Sequence, residues 1–150
     1  MLPLIKTIQR FVLIALAVCV GMTVGCTTET KIENVAPVVT AVGPVILLDS
    51  DQVQLFVWVR DHEEDPVDIT VFSVNAAGTE TELDIAGGHL TTGLTTSSAP
   101  SGQAHELIWQ PQEVPNEAIR IRIQVIDWNG GEGPYFTSES FVLSDGLPAP

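Results

Sequence analysis

The stretch Ala118–Ile126 restricts the fold more than any other part of the chain. Ile119, Ile121, Ile123 and Val125 fall on alternate positions, with Arg120, Arg122 and Gln124 between them. A period of two belongs to the β-strand, whose successive side chains point to opposite faces. One face here is aliphatic and the other carries two guanidiniums, so a one-residue slip would bury both charges. The register is written into the strand itself, and the strand needs an apolar layer to pack on. Gln52–Arg60 gives the same signal, with Val53, Leu55, Val57 and Val59 set against Gln52, Gln54, Phe56, Trp58 and Arg60.

From Pro37 onward the chain consists of short apolar runs bounded by Pro, Gly, Asp and Asn, and nowhere do apolar residues recur at helical spacing over a full window. Further strands are expected at Val38–Val42, broken at Gly43-Pro44 before Val45–Leu48, and at Val67–Val74. Thr79–Ile85 reads as a half-buried edge strand guarded by Glu80, Glu82 and Asp84. His105–Gln110 comes next, with Leu107 and Trp109 on one face, and Tyr135–Leu143 closes the domain with Phe141 and Leu143 inward. Gly87–Ala104 is rich in Gly, Ser and Thr and is long for a bare loop. It is expected either to hide a short strand near His89–Thr95 or to serve as a mobile binding loop. Phe56 and Trp58 either lie under it or leave an exposed patch. Seven or eight such strands are the sequence form of an all-β, immunoglobulin-like antiparallel β-sandwich, with a jelly roll or small barrel as the alternative.

The N-terminus fixes location. Lys6 and Arg10 precede the uncharged run Phe11–Val24, and Gly25 then precedes Cys26. Positive, apolar, small is the order of a secretory signal, and the run is short of the roughly 20 apolar residues that a spanning helix needs. Gly25-Cys26 resembles the lipobox of bacterial lipoproteins. The resemblance implies a signal peptide at residues 1–25 and a mature chain that begins at Cys26 and is held to a membrane by acyl chains on it. Thr27, where aspartate would signal retention at the inner membrane, implies the outer membrane. An uncleaved anchor or ordinary signal cleavage are the alternatives, and each places the rest of the chain outside the cytoplasm. Residues 26–36 then form a polar tether, 37–143 the sandwich, and 144–150 a C-terminal tail.

The whole chain carries 6 basic and 19 acidic residues, a formal charge of −13. Lys6 and Arg10 leave with the signal, so Lys31, Arg60, Arg120 and Arg122 face all nineteen acids at a formal −15. No nucleic-acid partner is expected, because phosphate backbones are bound by basic clusters. The 2 cysteines of the chain are Cys19 and Cys26. The domain after them therefore has no disulfide, thiolate zinc site, iron–sulfur ligand or cysteine nucleophile, and folds on its apolar core alone.

Ile119–Val142 (IRIRIQVIDWNGGEGPYFTSESFV) is similar to the last two strands of cadherin-like and fibronectin-type-III-like domains, and Asn34–Pro37 (NVAP) to the entrance of many such extracellular modules. Asp61, Glu63, Glu64 and Asp65, with Asp68 beyond, form an acidic loop. In an immunoglobulin-like sandwich the loop carrying Asp127, Asn129 and Glu132 lies at the same end. Calcium takes six to eight oxygens from carboxylates, amides and carbonyls, which these loops can supply; a solvated acidic turn is the plainer reading. The cadherin-like resemblance adds Asn34 to Asp61, Glu63, Asp65 and Asp127 as the candidate calcium ligands. Trp128, Asn129 and Glu132 are candidate ligand-binding residues, since an exposed Trp beside polar groups grips sugars or protein partners.

No Gly-x-Ser-x-Gly elbow, His-Glu-x-x-His pair or phosphate loop occurs. The expected protein is a non-catalytic module of the cell envelope. Its partners would be a membrane, through Cys26, and an envelope or extracellular protein. The alternatives are a carbohydrate-binding module using Trp128 and, from a third class, a small hydrolase using Glu63 and Asp65 with His62.

Overall fold

The computed structural model describes residues 33–48, 50–87 and 90–143. The signal region, Cys26, Asp49, His89 and residues 144–150 lie outside them. Seven strands succeed one another: β1 (Val38–Leu47), β2 (Val53–Arg60), β3 (Val67–Val74), β4 (Glu80–Glu82), β5 (Gln103–Trp109), β6 (Arg120–Asp127) and β7 (Phe136–Thr137). They form two antiparallel sheets, β1-β2-β5 and β4-β3-β6-β7.

The alternation read in the sequence decides which faces meet. Val53, Leu55, Val57 and Val59 of β2 and Ile121, Ile123 and Val125 of β6 are all fully buried, and they share one core with Val67, Ile69 and Val71 of β3. Burying an aliphatic side chain of this size contributes about 1.5–3 kcal/mol. Trp109 and Leu107 join the core from β5, and Phe141 and Leu143 from the segment after β7. Outside, Arg122 reaches across β3 to pair with Glu80 of β4 and lies 4.0 Å over the Tyr135 ring before β7. Phe56 and Trp58 are half-buried on the outer face of β2, their rings 6.1 Å apart and tilted by 42°.

Four expected elements are corrected. The first strand is continuous across Gly43-Pro44: the pair, joined by a cis bond, falls in a register shift between Val42 and Val45. β1 is an edge strand, where a residue without an N–H costs least. Thr79–Ile85 is divided between the sheets. Glu80–Glu82 and Leu83 bond to β3, whereas Ile85 bridges Trp109 of β5 and Ala86 donates to the Ile108 carbonyl at 2.7 Å. Before β5, the described residues of the Gly/Ser/Thr stretch hold two isolated bridges, Leu94 to Val67 and Ser97 to Arg60, rather than a strand. Val67 and Leu94 exchange hydrogen bonds of 3.0 and 2.8 Å, and Ile69 donates to Thr91 at 2.8 Å, so this segment flanks the first half of β3 where β4 flanks the second. The last strand shrinks to β7 and an isolated bridge between Ile119 and Phe141.

Candidate functional site

An acid closes β6 and another follows directly on β2. In each strand the inward stripe runs one position past its last aliphatic residue, from Val59 to Asp61 and from Val125 to Asp127, so the side chain that should close the core is a carboxylate. Asp61 is 1% exposed and Asp127 3%. Val67, opening β3 directly after the first acidic loop, pairs with Asp127. Both loops therefore share one rim, and Trp128 donates its N–H to Pro66 across it at 3.1 Å.

The rim is lashed together by side chains. Asp127 accepts from the backbone N–H groups of Asn129 and Gly131 on Oδ1, both at 2.8 Å, and from the Asn34 amide on Oδ2 at 2.7 Å. That carboxylate thus folds its own turn and holds the incoming chain to it. A Cβ on Gly131 would collide with both groups, and one on Gly133 with the Pro37 carbonyl. This explains why the turn is built from glycines where the chain enters. Asn129 donates to Asp65, joining the second loop to the first.

A third wall comes from residues 93–98. Thr96 donates to the Asp65 carbonyl at 2.9 Å, Gly93 donates to Asp68 at 2.8 Å, and the Asp61 N–H reaches the Ser97 carbonyl at 3.3 Å. Ser98 gives Glu64 both its hydroxyl, at 2.7 Å, and its N–H, at 3.1 Å, and these two donors hold the Glu64 carboxyl below its ordinary pKa. Ser98 and Thr96 escaped sequence reading, since nothing local marks a residue that donates to a loop some thirty positions earlier.

Asp61 stands apart from its neighbours. Oδ2 accepts the Asp65 N–H at 2.8 Å, but Oδ1 is buried with no partner, as is Oε2 of Glu63. Burial pushes the Asp61 carboxyl above its ordinary pKa; the Asp65 N–H opposes the shift, and the charges of Glu63, Asp65 and Asp127 add to it. Parity along β2 was the signal for this residue: an acid at the next inward position is a buried acid.

The structure thus brings Asn34, Asp61, Glu63, Asp65 and Asp127 to one end. Among the described residues, no three His, Cys, Asp or Glu side chains converge as a ready-made metal ligand set. Trp128 is 68% exposed beside exposed Asn129 and Glu132, with its ring over Gly93. His62 lines a separate hollow with Val35, Ala36, Val38, Arg60 and Ser98, and His105 bonds the Thr95 carbonyl at 2.7 Å. Asp51 sits in the turn before β2 with a positive φ of 58°.

Fold and rim together define a class: an all-β domain of two antiparallel sheets whose buried strand ends present acids to an exposed tryptophan. Comparison with protein-family models, curated proteins and solved structures finds no significant match to this chain. Among the described residues no helix is long and apolar enough to cross a membrane; Phe11–Cys26 lies outside them.

Proposed function

We propose that the protein is a lipid-anchored, non-catalytic binding module of the bacterial cell envelope, with an immunoglobulin-like sandwich that meets an envelope protein through its acidic rim. The observation that carries this reading is the rim itself. Two loops, the incoming chain and an exposed Trp128 are gathered at one end and fixed there by buried carboxylates. A tryptophan on a rigid support is the kind of anchor on which protein contacts concentrate their binding energy. The strand order β1-β2-β5 and β4-β3-β6-β7 runs as in fibronectin-type-III domains, which supports that branch of the sandwich family over a jelly roll. Placement at a membrane draws on the basic, apolar, Gly-Cys order of residues 1–26, and the preference for the outer membrane on Thr27 after it.

The test of anchorage is Cys26→Ser. The wild-type protein is expected in the membrane fraction with a mature N-terminus at an acylated Cys26, and the variant is expected to remain unprocessed and unacylated. An equal mature mass for both would overturn the lipid anchor.

Exposed Trp128 beside Asn129 and Glu132 also favours a second reading, a carbohydrate-binding module, because an aromatic face next to polar groups suits a sugar. Under the protein-binding reading, Trp128→Ala leaves retention on envelope polysaccharide unchanged and weakens cross-linking to protein. Loss of polysaccharide retention would select the second reading instead. A hydrolase built on Glu63 and Asp65 with His62 is disfavoured, since Asp65 is engaged by Asn129 and His62 lines another hollow.

A further inference from the structure

We propose that Asp61 and Glu63 bind one divalent cation of the calcium class inside the rim. Two particular oxygens, and not the number of acids, point to it. Asp61 Oδ1 and Glu63 Oε2 are shielded from water and have no hydrogen-bond partner, and the Asp61 side chain as a whole is 1% exposed. Buried polar atoms in folded proteins are almost always satisfied, and an orphan marks an ion, a water or a protonated state. Asp61 Oδ2 takes the Asp65 N–H at 2.8 Å, which turns the carboxylate back into its own acidic loop, among the charges of Glu63, Asp65 and Asp127, all of its own sign. A cation is what the position lacks.

The neighbouring acids narrow the site by being satisfied. Glu64 is held by Ser98, Asp68 by Gly93, and Asp127 by three donors. The two carboxylate oxygens that are both buried and without a partner lie on residues 61 and 63 of a single loop. The donors around them are oxygens, and the nearest imidazole, His62, faces a different hollow, so the chemistry suits a hard ion and not zinc or copper. Calcium completes its shell with carbonyls and water. Asp127, whose charge acts on Asp61, holds the Asn34 amide, so the ion would stiffen the point at which the chain enters. The site stands on these loops alone and does not depend on the anchor or the partner proposed above.

The experiment is thermal unfolding of the full chain in nonionic detergent, first in excess EDTA and then in millimolar calcium, with magnesium at equal ionic strength as the control. A site-bound ion near a hundred times its dissociation constant shifts the midpoint of a domain this size by several degrees. That shift is expected for the wild type and for Glu64→Gln, and is expected to vanish in Asp61→Asn and in Glu63→Gln. Both amide variants should unfold in EDTA no earlier than the wild type, because each removes an uncompensated charge. Calcium titration should give one equivalent bound by the wild type. An unchanged wild-type midpoint overturns the proposal. A shift of undiminished size in both amide variants overturns it as well, because the ion then sits on the exposed acids.

Discussion

Leu55→Ala is expected to lower the unfolding free energy by about 2–5 kcal/mol, the range for truncating a fully buried leucine. Leu55 lies at the centre of β2 with no exposed surface, opposite Val45 on one side and Leu107 on the other. Both neighbours are held by ladder hydrogen bonds and cannot close the space left behind. For a domain of about a hundred residues each kilocalorie moves the midpoint by roughly 4–8 °C, so a loss of about eight degrees or more should appear in a thermal scan. Neither cysteine falls within the sandwich, so no cross-link limits the loss. Leu47, 37% exposed on the edge strand, should lose about 1 kcal/mol or less on the same change. Equal effects at the two positions would show that the core is not where the alternation places it.

Asp127→Ala should rank next, at about 2–4 kcal/mol, because it strands three donors at once at a buried position. The N–H groups of Asn129 and Gly131 lose their acceptor, and the Asn34 amide loses its hold on the turn. Asp127→Asn should fall between, since its oxygen can still accept from the two backbone groups while its NH2 opposes the amide of Asn34. Hydrogen exchange at Asn129 and Gly131 should quicken in the alanine variant before global unfolding. Unchanged exchange there would mean that the turn holds without its carboxylate.

The strands that announce themselves in the sequence are those with one partner layer and one wet face. β3 runs over Val67–Val74 as its pattern says, and β6 keeps the stripe of Ile121, Ile123 and Val125 inward. Where a segment divides its bonds, the pattern misleads. Thr79–Ile85 alternates throughout, yet its first half serves β3 and its second half serves β5, and alternation cannot say which sheet a residue joins. The rim was legible as a collection of acids and not as a structure. Asn34 meets Asp127 across 93 residues and Asp65 meets Asn129 across 64, separations over which local pattern carries no information. The burial of Asp61 and Asp127, in contrast, needed only the count of alternate positions to be carried one step beyond the last valine.

The lashing of Asn34 to Asp127 also gives the domain a mechanical character. The chain enters β1 at Val38, opposite Arg60 at the acidic rim, and leaves beyond Phe141, which bridges Ile119 at the far end of β6. A pull on the two ends therefore runs along the strands. Ladder bonds lie across that direction, so β1 would have to slide past β2 with its bonds loaded in parallel, a shear geometry, instead of being peeled away one bond at a time. The clasp between Asn34 and Asp127 is the first element to feel such a load. A domain tethered at its N-terminal side and gripped elsewhere would resist tension as a unit and yield at that clasp before its core is disturbed.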